Sequence, residues 1–402
     1  MSFFRDRLEA FPRLADYRLA KAAGYWPYYK TVESASRPRF RIEGQDYINF
    51  GSNNYLSLSY HPRVIEASQR ATAKYGTGVT GSRLLNGTLD LHRTLEAELA
   101  EFYGREAALV LSTGYVANVS TIAGLLHRHD VAVLDKDAHN SLLTGVQLSG
   151  ATMKRFAHND VDKLAKILDV LPPEPGKGVI VDGVYSMGGD TAPLDRMVDL
   201  CRAHRNTFLL SDEAHGLGVL GERGRGAAEH HGVLDDVDLL TITFSKTLGS
   251  CGGAVIGSAE AIELLTLDAD PFIFTASNTP GSLAAALEGV RILRDAPELP
   301  AQLRSNVEFF VDLLTDRGVP VNPAESAIIT IPLRQRDELS AVVLARELLE
   351  EGVFVNPVVA PAVQRGLGLI RLSLMLDHSP ALLEEAAEVI LKVLNDNDQL
   401  PD

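Results

Sequence analysis

Between residues 107 and 256, short apolar runs alternate with amphipathic helical patterns, and few folds tolerate that rhythm. The runs cover residues 107–111, 131–134, 179–184, 207–210, 239–244 and 254–256. They are apolar throughout rather than alternating, as strands buried on both faces are. Helical periodicity fills the gaps at 90–103, 161–171 and 194–204, the last behind Pro193 in a helix-start position. Strand, crossover helix and strand in this order predict an α/β fold: a mostly parallel sheet with helices on both faces. Ligands of such sheets bind at the carboxyl ends of the strands.

The flanks read differently. From about Gly281 long helical patterns at 283–295 and 300–317 precede short strands at 327–331 and 369–374, which predicts a smaller α+β domain. The first 48 residues hold the one tryptophan, Trp26, and the tyrosine-rich stretch Tyr25 to Tyr29. They read as an arm that would be a liability on a monomer, so a second subunit is its expected partner. The 402 residues exceed what one core usually supports, and the expected division is an arm at 1–48, a large domain at 49–280 and a small domain at 281–402.

Composition removes several classes. With 46% hydrophobic and 23% charged residues, and no repeat or low-complexity tract, the chain is globular rather than disordered or fibrous. Its net charge of −15, spread along the chain, argues against a nucleic-acid or anionic-membrane surface. Cys201 and Cys251 are too few for a disulfide framework and too isolated for a thiolate metal cage. Charge within Met1 to Arg7 replaces the apolar core of a signal peptide, and no apolar run approaches the roughly 20 residues of a spanning helix. A cytoplasmic protein without stable membrane insertion is expected.

Two strand ends carry the chemistry. Ser211-Asp212-Glu213-Ala214-His215-Gly216 closes one apolar run, and Thr243-Phe244-Ser245-Lys246-Thr247-Leu248-Gly249 closes another, with Lys246 34 residues after Asp212. Both turn into Gly-containing loops, which brings Asp212, His215 and Lys246 to the carboxyl edge of the sheet. Desolvation there lowers a lysine's pKa, so Lys246 can form a Schiff base with an aldehyde cofactor. A neighbouring Asp can pair with a pyridinium nitrogen, as pyridoxal phosphate (PLP) chemistry requires. An isolated Asp–Lys pair is more often a plain buried ion pair. Three further stretches agree with the chemical alternative. Ser112-Thr113-Gly114-Tyr115 follows a strand and opens a helix, so the N–H groups of Gly114 and Tyr115 can meet a phosphate. His139 follows another strand and offers a flat ring for stacking on a pyridine. Tyr185-Ser186-Met187-Gly188-Gly189-Asp190 supplies a small hydroxyl, Ser186.

These blocks, with Asn53-Asn54-Tyr55-Leu56, closely resemble the α-oxoamine synthases, fold-type-I PLP enzymes that join an amino acid to an acyl thioester with loss of CO2. The resemblance runs in the family's order from about Tyr47 to Leu394, and it implies a seven-stranded large sheet. The stretches from Gly76 to Thr88 and from Glu351 to Val359 look most like the serine-using branch of the family. Carried over position by position, the resemblance makes Lys246 the Schiff-base lysine, Asp212 the partner of the pyridine nitrogen and His139 the stacking ring. His215 and Ser186 flank the cofactor's phenolic oxygen, and Thr113, Gly114, Tyr115, Thr243 and Ser245 surround its phosphate. Arg371 receives the amino-acid carboxylate, where a bidentate fork fits better than a point charge. Asn53 contacts that carboxylate, and Thr275 reaches the cofactor phosphate of the neighbouring subunit. Asn53 and Thr275 both lie in segments that the resemblance assigns to a neighbour's active site, which implies a homodimer with shared sites. Ser57, where the family has a glycine, and Asn278-Thr279, where it has an apolar residue and a proline, depart from the pattern.

The implied reaction condenses an amino acid, serine favoured, with an acyl thioester carried by CoA or by an acyl carrier protein. It releases CO2 and free thiol and gives an α-amino ketone. Lys246 is the natural base for the Cα proton and His215 the donor to the developing oxyanion. Three alternatives stand beside it: glycine or alanine with a short acyl-CoA, a fold-type-I aminotransferase, and a catalytically silent partner subunit. Intact Lys246, Asp212 and His139 argue against the last.

Overall fold

Side chains alternate across the buried strands and so feed two cores, one on each face of the large sheet. In a computed structural model, which describes residues 2–11, 14–22, 24, 26–334, 338–360, 363 and 366–400, thirteen strands form three sheets among those residues. β1 (Arg39–Ile42) and β2 (Gln45–Asn49) come first. β3 (Ala107–Leu111), β4 (Val131–Asp135), β5 (Thr152–Phe156), β6 (Lys177–Asp182), β7 (Thr207–Asp212), β8 (Leu239–Thr243) and β9 (Gly253–Gly257) follow, and β10 (Ile328–Pro332), β11 (Val353–Phe354), β12 (Asn356–Val358) and β13 (Leu369–Ser373) come last. The large sheet has the order β3-β9-β8-β7-β6-β4-β5, with β9 antiparallel to both neighbours and the remaining pairs parallel. The mostly parallel α/β sheet read from the sequence is therefore the observed one.

Val131, Val133, Val179 and Val181 enter one core, and Ala132, Leu134 and Ile180 the other. The first core continues without a break into Ile328, Leu344, Ile370, Leu372 and Ile390 of the C-terminal region. Helix Pro280–Asp295 packs on helices Pro62–Tyr75 and Asp90–Tyr103, so the boundary expected near residue 280 falls inside one packed layer. β12, β13 and β10 form a small antiparallel sheet that carries Arg371 on β13.

The apolar-run reading missed β5. Its sequence, Thr-Met-Lys-Arg-Phe, is exposed at the first four positions because it is an outer strand of the sheet, and Lys154 and Arg155 there discourage pairing with another chain. The arm expected over 1–48 divides. Residues 39–49 form β1 and β2, and β2 pairs with β11 of the same chain, so this part belongs to the C-terminal region. Helix Phe3–Glu9 buries nothing, and Phe3, Phe4, Leu8 and Phe11 are exposed. Trp26 packs edge-on between Tyr17 and Tyr28; Tyr25 lies outside the described residues. No helix among the described residues is long and apolar enough to cross a membrane.

Both departures from the family pattern have local reasons. Ser57 stands at φ 59, in the left-handed region that glycine adopts freely, and its hydroxyl accepts the Asp377 N–H at 3.3 Å. Thr279 is the N-cap of helix Pro280–Asp295, accepting the Ser282 N–H, while the Asn278 amide donates to the Leu111 carbonyl at 3.0 Å.

A buried ion pair ties the segment before the large sheet to β3. Arg83 donates to Glu96 at 2.8 Å and to the Val110 carbonyl at 2.8 Å, and the same Glu96 oxygen accepts the Val110 N–H at 3.1 Å. Removing one partner strands a buried charge, which costs about 3–5 kcal/mol. Glu96→Ala is therefore expected to lower Tm by several degrees in scanning calorimetry. An unchanged Tm would show that Arg83 finds water instead.

Candidate active site

The carboxyl ends of five strands converge on one cleft of about 270 Å³. β7 ends in Asp212 and leads to His215, β8 ends in Thr243 and leads to Ser245 and Lys246, and β6 leads to Ser186. β4 leads to His139 at the start of helix Asn140–Ser149, and β3 leads to Thr113, the N-cap of helix Gly114–Leu125. All of these, with Gly114 and Tyr115, line the cleft, together with Asn118, Ser141 and Asp182, which had no role in the sequence reading. A larger cleft, about 540 Å³, lies between β5 and helix Val161–Asp169 and contains none of the residues singled out in the sequence.

One end of the cleft is a cradle of small donors. The first N–H groups of helix Gly114–Leu125 lack intrahelical partners, and Thr113 satisfies only that of Val116, at 3.0 Å. The Thr243 and Ser245 hydroxyls lie 2.8 Å apart beside them. Gly114 is required here by space: a Cβ on it would stand 2.6 Å from Thr243 Cβ.

Asp212 is fixed from two sides at the floor. Its Oδ1 accepts the Ala214 N–H at 2.9 Å and its Oδ2 the Asn118 amide at 2.6 Å. Asn118 in turn accepts from the Thr241 hydroxyl at 2.6 Å and donates to Ser141 at 2.8 Å, and the Ser141 hydroxyl lies 2.7 Å from His139 Nδ1. Asn118 and Ser141 thus couple the position of the carboxylate to that of the His139 ring. Their residue types carry no chemical signal of their own; position behind Gly114 and His139 was the available hint. The Ser141 N–H also points at His139 Nδ1, which makes that nitrogen an acceptor and leaves the proton of the neutral ring on Nε2.

Burial sets the protonation states. It lowers Lys246 to about 8, although the carboxylates of Asp212 and Asp182 pull the other way. The Lys246 amine has no hydrogen-bond partner among the described residues. Burial, aided by the charges of Lys246 and Arg371, holds His215 far below its ordinary value and therefore neutral. Burial also lowers His139, and it raises Asp182 well above the carboxylate range, with the Asp212 charge adding to the rise. The buried Asp182 holds the His139 loop by accepting its N–H at 2.8 Å.

Arg371 approaches this cleft from β13. Its Nε donates to the Ser186 carbonyl at 2.7 Å, Nη1 to the Ser373 hydroxyl at 2.9 Å and Nη2 to Asn53 Oδ1 at 3.2 Å. Tyr55, unassigned in the sequence, shares its hydroxyl between His215 Nδ1 at 2.7 Å and Asn53 Oδ1 at 3.3 Å. Asn53 thus lies beside its own chain's Arg371, whereas the resemblance assigned its segment to a neighbour's site. The reason is backbone pairing: Phe50 and Tyr55 carbonyls accept the Ser373 and Leu376 N–H groups, which knits residues 50–55 to the end of β13 and the residues just after it in the same chain. Thr275 does not line this chain's cleft; it is half-buried beside the bridge between Ser82 and Ala276.

Residues 45–390 match the family described as aminotransferase class I and II. The chain is 40% identical to a serine palmitoyltransferase of Sphingobacterium spiritivorum over 93% of each chain. It is 38% identical to an 8-amino-7-oxononanoate synthase of Symbiobacterium thermophilum, over 93% of this chain and 95% of that protein. A solved structure of SPT with a PLP internal aldimine superposes with a TM-score of 0.93 at 36% identity, covering 98% of this chain and 99% of that one. The fold is that of the fold-type-I PLP enzymes, and the chain belongs to the aminotransferase class I and II family, within it to the α-oxoamine synthases.

Proposed function

We propose that this enzyme condenses an amino acid, serine favoured, with an acyl thioester to give an α-amino ketone, CO2 and free thiol, using PLP. The observation that carries the reading is Arg371, whose guanidinium is anchored to Asn53 and to the carbonyl of Ser186, a residue that lines the same cleft as Lys246 and Asp212. A receptor for a substrate carboxylate beside a base is what this condensation needs, and Arg371 with Lys246 supports that reading.

The residues present fit the cofactor. Helix N-terminal N–H groups with the Thr243 and Ser245 hydroxyls suit a phosphate, Asp212 a pyridinium, and the unbonded Lys246 amine an aldehyde. When bound, PLP supplies the electron sink that makes an amino-acid Cα–H acidic enough to lose. Lys246 takes that proton, and with a pKa of about 8 a useful fraction of it is neutral near physiological pH. Arg371 holds the carboxylate so that the reacting bonds keep one orientation. His215, neutral and backed by Tyr55, donates to the thioester oxygen as charge develops there; a Tyr55 hydroxyl turned toward Nδ1 leaves the His215 proton on Nε2.

The similarity to an 8-amino-7-oxononanoate synthase supports a second reading, alanine or glycine with another acyl group. Both readings take an acyl group carried by CoA or by a carrier protein. A homodimer with Thr275 turned toward a neighbour's cofactor belongs to the proposal, as does a reducing cytosol in which Cys201 and Cys251 stay unpaired. Incubating the enzyme with a panel of amino acids and acyl thioesters, with free thiol titrated and products weighed by mass spectrometry, tests the reading. Thiol release that depends on serine supports it. Transfer of the amino group to a keto acid without thiol release sinks it.

Two predictions follow from single residues. In the cofactor-free chain, pulse acylation of Lys246 mapped by mass spectrometry should rise with pH and level off above about pH 9. An ordinary amine with a pKa near 10.4 is still climbing there, because its neutral fraction keeps growing. A Lys246 profile that climbs in parallel with ordinary amines refutes the lowered pKa. Arg371→Lys should weaken amino-acid binding by roughly 10- to 150-fold, from the loss of about 1.5–3 kcal/mol of charge-assisted hydrogen bonding, while thioester binding holds. An unchanged amino-acid Kd in calorimetry removes Arg371 from the role.

A further inference from the structure

The loop that carries Ser186 is a tight hairpin. Val184 bridges to Thr191, the Tyr185 N–H donates to the Asp190 carbonyl at 2.9 Å, and the Gly189 N–H donates to the Tyr185 carbonyl at 2.8 Å. Its outer side is held by residues 325 and 326: Thr191 donates to Glu325, and Ser326 donates to the Gly189 carbonyl at 2.7 Å. Its inner side is held through the Asp190 carboxylate, whose Oδ2 lies 2.7 Å from His158 Nε2 and 3.0 Å from the Asn159 amide.

The other nitrogen of His158, Nδ1, lies 3.2 Å from Asp135 Oδ1 at the carboxyl end of β4. A neutral imidazole has one N–H, so between two carboxylates it would leave an acceptor facing an acceptor; only the imidazolium satisfies both. The groups around the ring are Asp135, the more distant Asp137 at 3.9 Å, Asp190, and Tyr185, whose ring stands edge-on at 4.3 Å. Burial works against the cation, yet the hydrogen bonds to Asp135 and Asp190 outweigh it and raise His158 to about 10. His158 is thus a cation through the neutral range, which none of the chemistry described above uses.

We propose that His158 is a positioning residue, an imidazolium that clips the hairpin of residues 184–191 to the end of β4 and, through the Ser186 carbonyl, sets the fork of Arg371. The sequence of contacts is continuous: Asp135 to His158, His158 to Asp190, Asp190 through the hairpin to Ser186, and Ser186 to Arg371 Nε. Nη1 and Nη2 each keep one further N–H to offer a carboxylate, and the Nε contact with Ser186 helps set the plane in which those groups point. A hairpin displaced by about 1 Å turns that fork away, and misplacement of this size can cost up to about a hundredfold.

The proposal rests on Arg371 as the receptor for the amino-acid carboxylate, and the test separates the two. With holoenzyme and L-serine, calorimetry gives the Kd of wild type, His158→Asn, Asp190→Ala, Arg371→Lys and the double variant His158→Asn/Arg371→Lys. His158→Asn and Asp190→Ala should each raise the Kd about tenfold or more and leave the affinity for an acyl-CoA within about twofold. Asp190→Ala keeps the contact of His158 with Asp135 and so reads the hairpin even if His158→Asn does not fold. In the Arg371→Lys background the His158 change should add less than about twofold, because its effect acts through the arginine. Arg371→Lys weakened with His158→Asn or Asp190→Ala unchanged overturns the His158 proposal alone. A full additional loss in the double variant overturns it too, since the histidine would then act by another route. An unchanged Kd in Arg371→Lys refutes the carboxylate reading, and the His158 proposal falls with it.

Discussion

A buried carboxylate, Asp212, is the fixed point of this site. It sits at the end of a central parallel strand, where water cannot compensate its charge, so the protein must supply donors around it. The backbone of Ala214 and the amide of Asn118 do so, and Asn118 is itself held by Thr241 on the next strand. That arrangement orders helix Gly114–Leu125, which carries Asn118, and through Ser141 it orders His139. The cradle of helix N–H groups and the His139 ring are therefore set relative to the same carboxylate.

The same burial distributes charge with economy. Five ionisable groups, Lys246, His139, His215, Asp182 and Asp212, border one cleft, and low dielectric prevents all of them from being charged together. Burial favours the neutral forms of His139 and His215, pushes Asp182 toward protonation and brings Lys246 close to neutrality. A lysine at its ordinary value is almost wholly charged near neutral pH; this one is partly neutral. His158 is the contrasting case, a half-buried imidazole that stays charged because two carboxylates face its two nitrogens.

The cleft-lining residues were legible because each lies at or just past the end of a strand in a mostly parallel sheet, and that topology sends every such residue to one edge. Lys246, Asp212, His139, His215 and Ser186 are separated by up to 107 residues in sequence yet line one cleft. The supporting residues were not legible. Asn118, Ser141, Tyr55 and Asp182 are ordinary polar residues whose value comes from a partner far away in the chain, and His158 reads as any histidine after a strand. Strand β5 escaped for a related reason: an outer strand with one face in water lacks the unbroken apolar run that marked its neighbours.

The sequence by itself determined most of the large sheet, because apolar runs of strand length between helical periods are buried well in a mostly parallel sheet with helices on both faces. It also determined the edge at which the chemistry lies. What only the tertiary structure decided is which side chains touch and in which chain. Asn53 turned out to lie beside its own chain's Arg371, since pairing of residues 50–55 with the end of β13 and the residues just after it is a long-range backbone contact that no local pattern encodes. Protonation was decided there too, because a pKa responds to desolvation and to charges brought close by folding, and neither exists until the chain has packed.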